Sequence, residues 1–193
     1  MKKMFIGITI GTSILLSGCF GSSEPKAPSE KKIEGFHVYS VEEFSLQVPD
    51  EWETLSGASL PGNTPKNTLI AFRSNVKNPR FTANVALIKN DLAQEITPLE
   101  YAKMLRQKTV DSLFDFHEIL TEQAKIMIAG QEMDTIFFIA EGREATDQDL
   151  KRFMQISAVK GKTAYVAAGS FLTEEGEGMA KKLETMMRNF EVK

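Results

Sequence analysis

One stretch constrains this sequence more than any other. From Met133 to Ala140 the chain reads Met-Asp-Thr-Ile-Phe-Phe-Ile-Ala, apolar on both of the faces a strand would present. Such a run belongs in the centre of a sheet, where neither face meets water. The flanking segments supply neighbours for it. From His117 onward the pattern has period two, and Ile126 and Ile128 lead into a turn at Ala129-Gly130-Gln131. Lys151–Val159 and Thr163–Phe171 read as two strands about a tight turn at Lys160-Gly161. Upstream, Phe44-Ser45-Leu46-Gln47-Val48-Pro49 alternates and ends on proline, and Trp52 follows as an anchor. Strands are also expected over Thr68–Arg73 and Phe81–Lys89, the second with Phe81, Ala83, Val85 and Leu87 on one face.

Two segments have helical spacing. Thr97-Pro98-Leu99-Glu100 predicts a helix start, with Thr97 as cap, Pro98 at the first helical position and Glu100 completing a capping box. Ala102, Leu105, Thr109, Leu113 and Phe116 continue it as an apolar stripe. A second helix is expected from Thr173. Glu174, Glu175 and Glu177 lie at its start and Lys181, Lys182 and Arg188 towards its end, as the helix dipole prefers. Met179, Leu183, Met186 and Phe190 form its stripe, and the small residues from Ala164 to Gly169 suit a helix packed closely on the sheet. The expected class is α+β, a mainly antiparallel sheet with helices packed on it.

The first residues have another purpose. Lys2 and Lys3 precede an uncharged apolar run, Met4–Leu16, which is shorter than the roughly 20 residues a spanning helix needs. That is the build of a signal peptide. Leu16-Ser17-Gly18-Cys19 resembles the bacterial lipobox. The resemblance implies cleavage before Cys19 and a diacylglyceryl group on its thiol. Two acyl chains suffice for stable anchoring, so residues 1–18 are expected to be signal peptide. Residues 19–34 are rich in Ser, Pro and charge and poor in hydrophobes, which predicts a flexible tether. The folded domain is expected over 35–193.

Cys19 is the single cysteine, so a domain beyond it has no disulfide and must rest on core packing. Loss of residues 1–18 removes two of the 23 basic residues and leaves 21 against 26 acidic ones. This balance argues against a nucleic-acid partner, which demands clustered positive charge. It also leaves the anchoring to lipid on Cys19, with no basic patch for anionic headgroups.

The order of elements resembles the α/β/α sandwich of the PsbP-like proteins and the DcrB-like bacterial lipoproteins. Four pieces carry the resemblance: Phe44-Ser45-Leu46-Gln47-Val48-Pro49-Asp50-Glu51-Trp52, Thr97-Pro98-Leu99-Glu100-Tyr101-Ala102, Thr163–Phe171 and Asn189-Phe190-Glu191-Val192. It covers about residues 36–192 and implies a fold and a non-catalytic, protein-binding habit. It transfers no active site.

A search for chemistry gives candidates but no constellation. The thiol is the lipid site, no G-x-S-x-G is present, and His37 and His117 stand apart and outside any motif. No catalytic, cofactor or metal residues are assigned. The best metal candidate is Glu141, Glu144, Asp147 and Asp149, which lack the spacing of a calcium loop and are flanked by Arg143 and Lys151. The Ser56–Asn67 loop, with two prolines and two glycines in its span, is a second surface for recognition. The expected role is that of a lipid-anchored accessory or assembly protein on the extracytoplasmic side of a bacterial membrane, binding another envelope protein. The alternative is a carrier of a small apolar ligand, with a hydrolase as the less favoured third. A concave apolar pocket would favour the carrier.

Overall fold

The computed structural model describes residues 33–62 and 64–193. The expected signal peptide, Cys19 and most of the expected tether lie outside them.

Among the described residues ten strands and two α-helices follow in order. Strands β1 (Phe36–Ser40), β2 (Phe44–Pro49) and β3 (Trp52–Leu55) precede a short 3-10 turn at Gly57–Ser59, then β4 (Thr68–Ser74) and β5 (Asn84–Asp91). Helix α1 (Pro98–Ser112) leads to β6 (Phe114–Ile128), β7 (Gln131–Arg143), β8 (Lys151–Lys160) and β9 (Thr163–Leu172). A second 3-10 turn, Thr173–Glu175, opens into α2 (Gly176–Arg188), and β10 (Glu191–Val192) closes the series. All ten strands form one sheet in the order β1-β2-β10-β6-β7-β8-β9-β5-β4-β3.

The α+β class holds, with one amendment to the antiparallel expectation. Every pairing is antiparallel except that of β10 with β6, which is parallel, so the sheet is mixed. β10 arrives from α2, and it lies parallel to β6 while running antiparallel to β2.

The apolar run Met133–Ala140 lies in β7, and its two faces serve two helices. Phe137 and Ile139 join the core beneath α2, with Leu183, Met186 and Met187. Ile136, Phe138 and Ala140 join the cluster beneath α1, with Ala102. The helices therefore lie on opposite faces, because alternate side chains of one strand point opposite ways. The sheet curls around the α2 core far enough for the Tyr39 ring of β1 to pack edge-on against Phe72 of β4, at 5.1 Å between centroids. Gly169 on β9 lets α2 approach. A Cβ there would stand 2.8 Å from both Leu183 Cδ2 and Met187 Cε.

Several boundaries moved. The α1 stripe includes Ala102, Leu105 and Thr109, but the helix ends at Ser112, Leu113 is its C-cap and Phe116 belongs to β6. There Phe116 packs in the α1 cluster while Leu120 packs in the α2 core. Two even-numbered residues can face opposite ways only across a register shift. Ile119 supplies it as the extra residue of a bulge between Glu118 and Leu120. β5 starts at Asn84, so Phe81 is outside it and packs beneath the Lys151 ammonium, 4.5 Å from the ring centroid. The last helix begins at Gly176, after the 3-10 turn at Thr173.

The capping box at α1 is present. Glu100 N–H donates to Thr97 Oγ1 at 3.1 Å, and Thr97 N–H donates to Glu100 Oε2 at 2.9 Å. Thr97→Ala removes an acceptor for an N–H that has no helical partner. It is expected to cost about 0.5–2 kcal/mol, read as a lower urea midpoint at unchanged slope. An unmoved midpoint would show that the cap contributes nothing.

Candidate functional site

Helix α1 covers β7 and β8, and among the described residues no helix covers the same face of β9, β5 and β4. A cleft of about 520 Å³ opens along this margin. Its floor is Ile88 of β5 with Val166 and Ala168 of β9, brought to one face by alternation. Tyr101, Met104, Leu105 and Lys108 form the helical wall, spaced so that they share one side of α1. Pro65 and Asn67 form the opposite wall. The long loop singled out in the sequence thus serves as the outer rim of a cleft.

Few polar groups enter it, and most are held. Asn90 Nδ2 donates to the Tyr101 hydroxyl at 3.0 Å, and the Asn67 amide donates to Asn90 Oδ1. Burial pushes the Tyr101 phenol above its ordinary range, against the opposing pull of the Asn90 bond. At the far end Gln155 Nε2 donates to Thr109 Oγ1 at 3.2 Å. Met104 is 63% exposed and stands at the mouth. A mostly apolar concavity of this size with a few fixed polar groups is the usual form of a small-molecule site. Its titratable lining groups are Tyr101 and Lys108.

A second cavity of about 420 Å³ lies on the same face, between the loop and the outer strands. Its lining is more polar and includes Arg73, Thr82, Asn84, Glu144 and Ser170. Arg73 Nε donates to Glu53 Oε1 at 2.6 Å, and Lys77 reaches the same oxygen. These two bonds, Arg73 first, hold the Glu53 carboxyl down to about 2 from the usual 4.5. A carboxyl lowered by folding stabilises the fold at pH above 4.5, and that contribution is lost as pH falls towards about 2. Glu53→Gln should therefore lower the melting temperature at neutral pH, with the gap to the parent closing through this window. A gap that stays constant from pH 6 to pH 2 would show that the pairing adds nothing to stability.

The sequence candidates for chemistry do not converge. Glu141, on β7, pairs with Arg152 at 3.0 Å, and Arg152 also reaches Glu177 at 2.9 Å. Glu144 pairs with Lys151 at 2.5 Å, and Asp149 with Arg80 at 3.1 Å. Each of these three acids has its own cation, and Asp147 sits exposed in the same loop. Among the described residues no three His, Cys, Asp or Glu side chains gather closely enough to hold a metal ion. His37 is an exposed partner of Asp50 at 3.2 Å, and His117 lies exposed on β6 opposite Glu141. Sequence reasoning missed Ile88, Asn90, Tyr101 and Gln155 as site residues. The available signal was Asn90 and Gln155, polar residues next to Ile88 and Phe153 on their own strand faces.

No family model matches the chain, and no curated protein does. Solved structures do. LpqN of Mycobacterium tuberculosis, described as involved in cell envelope biogenesis, matches with a TM-score of 0.54 at 15% identity, over 81% of this chain and 90% of LpqN. The fold is PsbP-like, as the sequence motifs resemble, and at this identity the likeness reaches no further than the fold. The cyanobacterial PsbP (CyanoP) of Synechocystis sp. PCC 6803 has a TM-score of 0.49 at 13% identity, over 86% of this chain and 98% of CyanoP.

Proposed function

We propose that this chain is a non-catalytic accessory module of the cell envelope, held at a membrane by lipid on Cys19, which takes a small, largely apolar ligand into the α1 cleft. The observation that carries the reading is the cleft itself: open, floored by Ile88, Val166 and Ala168, and rimmed by a long loop. The dispersal of Glu141, Glu144 and Asp149 onto separate cations supports binding over turnover. LpqN, which shares the fold, is involved in envelope biogenesis, and that supports the location.

A protein partner as the primary ligand has less behind it. Among the described residues the exposed large hydrophobics are Val41, Val76, Met104, Phe114, Ile119 and Met133, spread over two loops, α1, β6 and β7. β10 covers β6 only at Met127 and Ile128, and among the described residues no other strand lies along that edge. Two register shifts and the charges of Glu118, Glu122 and Lys125 blunt it. Another envelope protein enters this reading as the one that delivers or receives the ligand.

The test fills the cleft. In the full chain carrying Cys19→Ala, purified without detergent, N-phenyl-1-naphthylamine should bind saturably with a rise in emission. Adding Ala168→Trp should weaken that binding at least tenfold while the circular dichroism spectrum stays that of the parent. Equal binding by a well-folded Ala168→Trp protein would remove the cleft as the site.

A further inference from the structure

We infer that the two cavities form one site for a single amphiphile, its apolar part beneath α1 and an uncharged, hydroxyl-rich part in the polar cavity. This rests on the ligand-binding reading above and adds the chemical class of the ligand.

Strand register puts the cavities in line. Asn90, Ile88, Ala86 and Asn84 follow one another on one face of β5, the first two lining the apolar cavity and the last two the polar one. Pro65 borders both. At their junction Ala86 pairs with Ala71 of β4 on one side and Ala168 of β9 on the other. Three alanines therefore cross the floor in a row, and none has a side chain long enough to raise a wall between the halves.

The character of the trough changes across that row. On the α1 side the floor is Ile88 and Val166. Beyond it, Asn84 and Ser170 face each other across β5 and β9; Asn84 Nδ2 donates one hydrogen to the Thr82 carbonyl at 3.1 Å, and its Oδ1 with the Ser170 hydroxyl supplies uncharged hydrogen-bonding groups. The charged groups at this end are already engaged: Arg73 holds Glu53 at 2.6 Å, and Glu144 holds Lys151 at 2.5 Å. An ionic head would have to displace one of these partners and leave the other uncompensated. A hydroxylated head can hydrogen-bond to Asn84 and Ser170 with both pairs intact. Joining the two halves in one molecule also makes the second contact intramolecular, so the whole should bind far more tightly than either part.

The measurement is isothermal titration calorimetry on the full chain carrying Cys19→Ala, without detergent. The probes are octyl β-D-glucoside below its micelle-forming concentration, 1-octanol, sodium octanoate and glucose. Octyl glucoside is expected to bind at least tenfold more tightly than 1-octanol, octanoate or glucose. Asn84→Leu, or separately Ser170→Val, should bring octyl glucoside to the level of 1-octanol and leave 1-octanol itself unchanged. Using both variants guards against one of them failing to fold, and each is checked by its melting temperature. If 1-octanol matches octyl glucoside, or neither folded variant alters their ratio, the ligand is confined to the apolar half. The inference is then overturned while the ligand-binding reading stands. Tighter binding of octanoate overturns the uncharged head. Absence of binding by every alkyl probe overturns the ligand-binding reading and this inference with it.

Discussion

Phe137→Ala is expected to destabilise the domain by about 3–5 kcal/mol, the cost of removing a large buried ring that its surroundings cannot collapse to fill. Phe137 is fully buried on the central strand β7 and faces the α2 core. The Arg188 guanidinium lies 4.4 Å from its ring centroid, so the truncation also strips a cation of its aromatic partner. The loss is a large share of the 5–15 kcal/mol that holds a typical domain together. Urea denaturation should show a greatly lowered midpoint. Phe116→Ala, on the half-buried ring at the margin of the α1 cluster, should cost less than half as much. Equal losses at the two positions would show that the α2 core is not the main support of the fold.

Cys19→Ala is expected to move the protein from the membrane fraction almost wholly into the soluble one, or to leave an uncleaved precursor. About a dozen buried methylenes in each acyl chain, at ~0.8 kcal/mol apiece, give on the order of 10 kcal/mol per chain. Each 1.4 kcal/mol is roughly tenfold in partition, so loss of both chains shifts the distribution by many orders of magnitude. The described residues contain no helix long and apolar enough to span a bilayer and take over the role. Processed Cys19→Ala protein that still sediments with membranes after an alkaline wash would end the lipid-anchor reading.

What could be read from the sequence was what local chemistry determines. The α1 start was legible because cap, proline and carboxylate all lie within four residues, 97–100, and need nothing distant. β7 was legible because its apolar character on both faces survives any choice of neighbour. Strand β10 was not. Glu191 and Val192 become a strand only because Phe44 and Ser45 lie on one side and Met127 and Ile128 on the other. Leu113 and Phe116 keep a three-residue spacing past the end of the helix, so spacing alone extends the α1 stripe to Phe116. The bulge at Ile119 that decides which way Phe116 faces depends on pairing with β7. The cleft has the same origin. Its rim loop was visible as a long Pro- and Gly-containing stretch, but Ile88, Val166 and Tyr101 meet only through the sheet register.

The two-residue strand β10 also bears on the order in which the molecule can be completed. Among the described residues β2 has only β1 and β10 as strand neighbours, so the first hairpin joins the rest of the sheet through Glu191 and Val192. Val192 C=O accepts from Ala129 N–H at 2.8 Å, and Lys193 N–H donates to Glu43 C=O at 2.9 Å, which fastens the same seam. During synthesis the β1–β2 hairpin is made early and has to wait for almost the whole remaining chain before its partner exists. Such long-range closure is slow. A chain that postpones its final closure in this way completes its sheet last at the one seam where first-made and last-made residues meet.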